Sequence, residues 1–243
     1  MKNRESTTDY NTIPIGYYHN AMLNGPSIQR FWHRKKFEKV ANLIPDSSRV
    51  LDIGCGPGSF AFVLNSIRPS CTIFGIDIAK GQIDFAEKNI LPIAKNSHFR
   101  IFDGNNIPFD DASYDVITLI EVIEHLSLKT AGRLLEEAYR ILRPGGKLII
   151  TTPNYASQWP VLEKILELLS PVKYGEQHIS RFTKHSLCRV VEAERFTCEK
   201  IETLFVIAPY FAILNPTLGD LLLHGESQLG GGLGSLLVGI FTK

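Results

Sequence analysis

The stretch Val50-Leu51-Asp52-Ile53-Gly54-Cys55-Gly56-Pro57-Gly58 constrains what this chain can fold into more than any other. A short apolar run reads as a buried strand, and glycines at alternate positions follow it at once. A helix is expected to start at Pro57 and reach about Ile67. Glycine tolerates torsions that other residues avoid and lets a ligand touch the main chain. Proline near the first helical position gives up an N–H that would have no partner there. The remaining amides of a helix start favour an anionic group. A strand ending in such a turn points to an open α/β sheet with a ligand at its carboxyl edge.

The rest of the first 153 residues continues the alternation. Strands are expected at Cys71 to Asp77, His98 to Phe102, Tyr114 to Ile120 and Lys147 to Thr152. Helices are expected from Ser27, as cap, to about Leu43, from Lys80 to Asn89, and from Leu128 to Leu142. The first of these carries Ile28, Phe31, Trp32, Val40 and Leu43 on its apolar side. Arg30, His33, Arg34, Lys35, Lys36 and Lys39 make its polar side, read as solvated. Beyond Pro153, helices are expected at Ser157 to Leu169 and, capped by Thr183, to Glu194. Cys198 to Ile207 and Ser235 to Phe241 read as a closing, hairpin-like pair of strands that completes a seven-stranded sheet.

Three further features accompany the glycine turn in order. Asp77 ends the second strand, where a carboxylate can accept hydrogen bonds from ribose hydroxyls. Asp103-Gly104 ends the third strand, and Pro144-Gly145-Gly146 precedes the fifth. The G-x-G-x-G spacing differs from the G-x-G-x-x-G of NAD-binding turns. With these motifs, residues 45 to 200 resemble the class I S-adenosylmethionine-dependent methyltransferases. The resemblance implies a Rossmann-like, seven-stranded, mostly parallel sheet with helices on both faces and a small apolar C-terminal insertion. It also implies S-adenosyl-L-methionine as cofactor. Gly54, Gly56 and Gly58 would line its methionine part, Asp77 the ribose, and Asp103 with Gly104 the adenine, with Asp52, Cys55, Ile78, Asn105 and Glu121 as further cofactor-binding candidates. Residues 1–44 would form a tail and helix covering the cofactor, and 45–243 the catalytic domain with a helical insertion at 204–232.

Glu121-Val122-Ile123-Glu124-His125 follows the fourth strand, where cofactor and acceptor should meet. If helical, Glu121 shares a face with Glu124 and His125. In one reading Glu121 lies near the cofactor while His125 packs; in another His125 is a general base, for which its ordinary pKa suits it. In a third, Glu121, Glu124, His125 and a later histidine such as His178 ligate a metal. That arrangement resembles the E-x-x-E-H of small-RNA 2′-O-methyltransferases and ubiquinone-pathway O-methyltransferases. The expectation taken forward has Glu121 and His125 as catalytic candidates and no metal.

The segment from Gly175 to Thr183 resembles the E-x-H-x-x-x-F-T stretch that borders the active site in many small-molecule methyltransferases. His178 and Arg181 are therefore acceptor-contact candidates, with Asn154 and Tyr155 at a strand end and Tyr17 in the N-terminal cover. The apolar residues from Phe205 to Leu223 read either as packing on the sheet or as a lid for a lipid-like acceptor. A net charge of +1 carries no footprint for nucleic acid, and no such partner is expected. Four cysteines without a C-x-x-C pair read as reduced thiols, and the start lacks the apolar core of a signal peptide. A cytoplasmic enzyme is expected, with peripheral membrane contact left open. The activity expected is methyl transfer to a small-molecule or lipid-like acceptor at oxygen. The alternatives are a metal-assisted RNA 2′-O-methyltransferase and a non-catalytic cofactor-binding module.

Overall fold

The computed structural model describes residues 13–104, 106–169, 177–228 and 232–243. Two helices, α1 (Tyr17–Asn24) and α2 (Ser27–Leu43), precede the sheet. The expected alternation then runs through β1 (Arg49–Ile53), α3 (Ser59–Ile67), β2 (Thr72–Asp77), α4 (Lys80–Asn89), β3 (Ser97–Ile101) and β4 (Tyr114–Ile120). A 3₁₀ turn at Ile123–His125 leads to α5 (Leu128–Ile141), β5 (Leu142–Pro153) and α6 (Trp159–Leu169). The chain closes with α7 (Lys184–Glu192), β6 (Thr197–Leu204), α8 (Ala208–Leu214), α9 (Pro216–Gln228) and β7 (Leu236–Thr242).

The seven strands form one sheet in the order β3-β2-β1-β4-β5-β7-β6, parallel except for β7. This is the Rossmann-like sheet expected from the sequence. Val50, Ile73, Val116 and Ile149 face one apolar layer; Leu51, Ile76, Ile117, Leu148 and Ile150 face the other. Strands buried on both sides need apolar residues at every position, which is why these read as continuous runs instead of alternating ones.

Several boundaries differ, each for a local reason. Ser27 is already helical, and Pro26 stands at the cap without a side-chain bond. α3 starts at Ser59 and not at Pro57, because Gly58 is still left-handed at φ 77°. Thr183 does cap its helix, in a capping box with Ser186. β6 stops at Leu204, since Phe205 turns the chain at φ 68°. Strands β6 and β7 pair antiparallel as expected, and the helices α8 and α9 lie between them in the segment where a helical insertion was expected. Phe205 packs under α2, its ring centroid 4.3 Å from that of Trp32. The outer side of the insertion is apolar too: Leu214 is 79% and Leu221 68% exposed. No helix among the described residues is long and apolar enough to cross a membrane. All four cysteines are free thiols.

Candidate active site

Strand order reverses between β1 and β4, and the loops after these two strands lie side by side at the carboxyl edge. Ligands of open α/β sheets bind at such a switch point. The amides of Gly54 and Cys55 both donate to the Ile76 carbonyl, at 2.8 and 3.1 Å, tying the turn to β2. A Cβ on Gly54 would stand 2.5 Å from Val122, so the two loops touch here because no side chain intervenes. Gly56 is left-handed at φ 52°, and a Cβ there would meet nothing within 4 Å. It borders a cavity of about 370 Å³ that Asp52, Gly54, Cys55, Asp77, Ile78 and Glu121 also line.

Asp77 accepts the Gly56 amide on one oxygen and the Ala79 amide on the other, both at 2.8 Å. A carboxylate has about four acceptor sites, so each oxygen keeps a lone pair for a hydroxyl. Burial pushes this carboxyl above its ordinary pKa, against the pull of those amides. Asp52 accepts the Thr118 hydroxyl at 2.6 Å, and burial pushes its pKa up to about 7. Phe102 and Gly104 line the cavity, whereas Asp103 between them is exposed. Asn105 lies outside the described residues. An open glycine cradle beside a carboxylate with spare lone pairs fits the adenosyl end of S-adenosylmethionine.

The Glu121–His125 segment is not one helical face. Glu121 leaves β4 in a left-handed conformation at φ 55°, and only Ile123–His125 form a helical turn. Glu121 pairs with Lys36 of α2, whose side chain is 3% exposed. Burial raises the Glu121 carboxyl, but the Lys36 ammonium outweighs it and holds the group below its ordinary pKa. His33 is pushed down to about 3 by burial and then by Lys36, so it is a neutral imidazole. The basic side of α2 thus divides. Arg30 and Arg34 face solvent, while His33 and Lys36 are buried and line the cavity. A solvated face was expected; sequence position gave no sign of the carboxylate that meets Lys36 from 85 residues away.

Glu124 is fully buried, where the Thr152 hydroxyl and a backbone amide favour its charged form. Burial and then the charge of Glu121 push its pKa up to about 8. His125 Nδ1 lies 3.1 Å from the Gln177 carbonyl, which can only accept, so the neutral ring carries its proton there. Burial and then His178 push His125 down to about 4. His178 Nδ1 lies 2.6 Å from Glu163 Oε1. The Tyr155 hydroxyl and the Trp159 indole also donate to that oxygen, at 2.8 and 3.3 Å. Glu163 is the residue of this cluster that sequence reasoning missed. Its only signal was its place on the apolar side of α6. Glu124, His125 and His178 can each offer one ligand atom within 4.8 Å of the others.

Of the acceptor candidates, His178 lines the cavity. Tyr155 stands behind it, and Arg181 lies over the Tyr155 ring at 5.3 Å with its own side chain exposed. Asn154 is spent on the scaffold: its amide donates to Gly232 and Gly234 and its oxygen accepts from Ala156. Tyr17 packs edge-on against Tyr18, and it is Tyr18 that reaches the cavity wall. Trp32, Phe37, Trp159 and Leu162 supply the apolar lining.

Residues 27–201 match a family described as Methyltransferase domain. A demethylmenaquinone methyltransferase of Lactobacillus johnsonii is 25% identical over 176 residues, covering 69% of this chain and 70% of that protein. An O-methyltransferase, cnsE, of Penicillium expansum is 27% identical over 217 residues, covering 82% of this chain and 77% of that one. The fold is similar to that of a SAM-dependent methyltransferase from Thermotoga maritima. There the TM-score is 0.66 at 23% identity, over 94% of this chain and 95% of that one.

Proposed function

Given that the chain belongs to the methyltransferase-domain family and is an S-adenosylmethionine-dependent methyltransferase, we propose that its acceptor is a small, largely apolar molecule methylated at oxygen. One observation carries this reading. A cavity joins the glycine turn and Asp77 to the apolar side chains of Trp32, Phe37, Trp159 and Leu162, with Lys36, Glu121, His125 and His178 among the polar groups beside them. Pockets of that composition take small ligands, with the polar groups setting orientation. The relative named as an O-methyltransferase supports oxygen as the accepting atom, and the one named as a demethylmenaquinone methyltransferase supports only a small-molecule acceptor.

The bound cofactor supplies an already activated methyl group on a sulfonium. The protein's part is therefore alignment and exclusion of water. Asp77 would hold the ribose hydroxyls, and the open space at Gly56 would let the ligand lie against the main chain. Trp32 and Phe37 of α2 close the cavity above the carboxyl edge of the sheet. Ionised Glu121, balanced by Lys36, favours a cation beside β4. His125 and His178 bound the acceptor part as neutral imidazoles. The bound cofactor would supply its methyl group to an acceptor hydroxyl, the O–CH₃ bond forming as S–CH₃ breaks and the hydroxyl proton passing to solvent.

Small-molecule extracts of cells lacking the protein should accumulate a species lighter than its normal product by one CH₂. Purified protein with deuteromethyl-labelled cofactor should convert that species, and NMR should place the label on oxygen. Label on carbon would overturn the oxygen assignment. Label recovered only in RNA or protein would overturn the small-molecule assignment.

A further inference from the structure

We propose that the outer side of the α8–α9 insertion docks on the surface of an anionic lipid bilayer. The chain carries no charged residue between Glu202 and Asp220. In this stretch Ile207, Phe211 and Leu214 recur at helical spacing through α8, and Leu218 and then Leu221 recur along α9. All five are exposed, Leu214 and Leu221 most of all. The inner sides of both helices are already occupied. A Cβ on Gly219 would stand 2.7 Å from Ala212 of α8 and 3.0 Å from Phe31 of α2, and Leu222 and Leu223 pack inward on the core. The exposed residues are therefore not needed to seat the insertion, and apolar surface of this kind marks a place where something binds.

The charges bordering this surface point to what covers it. Both acids of α9 are answered from within the protein. Asp220 pairs with Lys35 of α2 at 2.9 Å, and Glu226 accepts the amides of Val206, Ile207 and Ala208 at the start of α8. On α2, Arg30 and Arg34 are exposed one turn apart, and Glu38 is shared by Arg34 and Lys35. Arg30, Arg34 and Lys35 thus outnumber Glu38 and Asp220, which leaves positive charge beside an apolar surface. Interfacial helices offer an anionic bilayer that combination, with apolar side chains at the acyl boundary and basic ones among the headgroups. A protein partner would draw on charges within the patch to fix its register, and this stretch has none. With 7 and 13 residues, α8 and α9 can lie on one leaflet and are too short to cross it. Phe31 and Lys35 meet the insertion, while Trp32 and Lys36, next to them on α2, line the cavity. Docking would therefore set the helix that walls the cavity against the membrane. It does not depend on which acceptor is methylated.

The test is co-sedimentation of the full-length protein with vesicles of phosphatidylcholine and phosphatidylglycerol in equal parts, beside vesicles of phosphatidylcholine alone. The expected result is saturable binding to the anionic vesicles that weakens with added salt. Leu214→Ser combined with Leu221→Ser should lower the partition coefficient by about 10-fold per leucine. Arg30→Gln combined with Arg34→Gln should lower it by about 5-fold per arginine on the anionic vesicles alone. Unchanged affinity for S-adenosylhomocysteine certifies that each variant is folded. The proposal is overturned if the unmodified protein stays in the supernatant with the anionic vesicles. It is equally overturned if the leucine variant, still binding S-adenosylhomocysteine, sediments with them as well as the unmodified protein. A protein that ignores vesicles but forms a dimer by light scattering, which the same leucine variant dissolves, would assign the surface to a second copy instead.

Discussion

At the scale of single residues, the carboxylates around the sheet edge share a chemistry and differ in what surrounds them. Asp77 is satisfied by two amides, Glu121 by an ammonium, and Asp52 by one hydroxyl. Of these three Asp52 feels burial most directly, and its pKa rises from 3.8 to about 7. A raised carboxyl pKa has a definite sign in stability. Between these two values the unfolded chain releases a proton that the folded chain keeps, so stability falls as pH rises through the window. Asp52→Asn keeps the oxygen that accepts from Thr118 and removes the titration. Thermal unfolding followed from about pH 5 to pH 7 should slope less steeply for this variant. An unchanged slope would mean that Asp52 stays ionised in the fold.

At the scale of elements, α2 is fastened to the sheet edge by polar contact as well as by packing. Trp32 and Phe31 meet Phe205, and Phe37 meets Phe60. Lys36 reaches down from the same helix to Glu121. Removing one member of a buried pair costs about 3–5 kcal/mol, whereas replacing both can be close to neutral. Lys36→Met should therefore destabilise the protein by about that amount in urea unfolding, at the lower end because Glu121 is 23% exposed. Lys36→Met combined with Glu121→Gln should recover most of the loss. A double variant no better than the single would show that the cost is lost packing of the lysine stem.

At the scale of the whole molecule, one cavity draws on the glycine turn, the β4 loop, α2 and α6 together, so a ligand there ties distant parts of the chain. S-adenosylhomocysteine at 100 times its dissociation constant should stabilise the fold by about 2.7 kcal/mol. For a chain of this size that is a rise of about 5–10 °C in the unfolding midpoint. Asp77→Ala at the same ligand concentration should lose most of that rise. An equal rise would remove Asp77 from the ribose assignment. What the sequence by itself determined is the part that depends on neighbours along the chain. The alternation of buried runs and helices, the left-handed glycine turn, and Asp77 at the end of its strand all follow from short-range sterics and periodicity. Tertiary structure alone decided the pairings. Lys36 meets Glu121 across 85 positions, His178 meets Glu163 from beyond α6, and β7 slots between β5 and β6. A charge on a helix looks solvated until the fold sets another element over it, because burial and partner choice belong to the packed molecule and not to the helix.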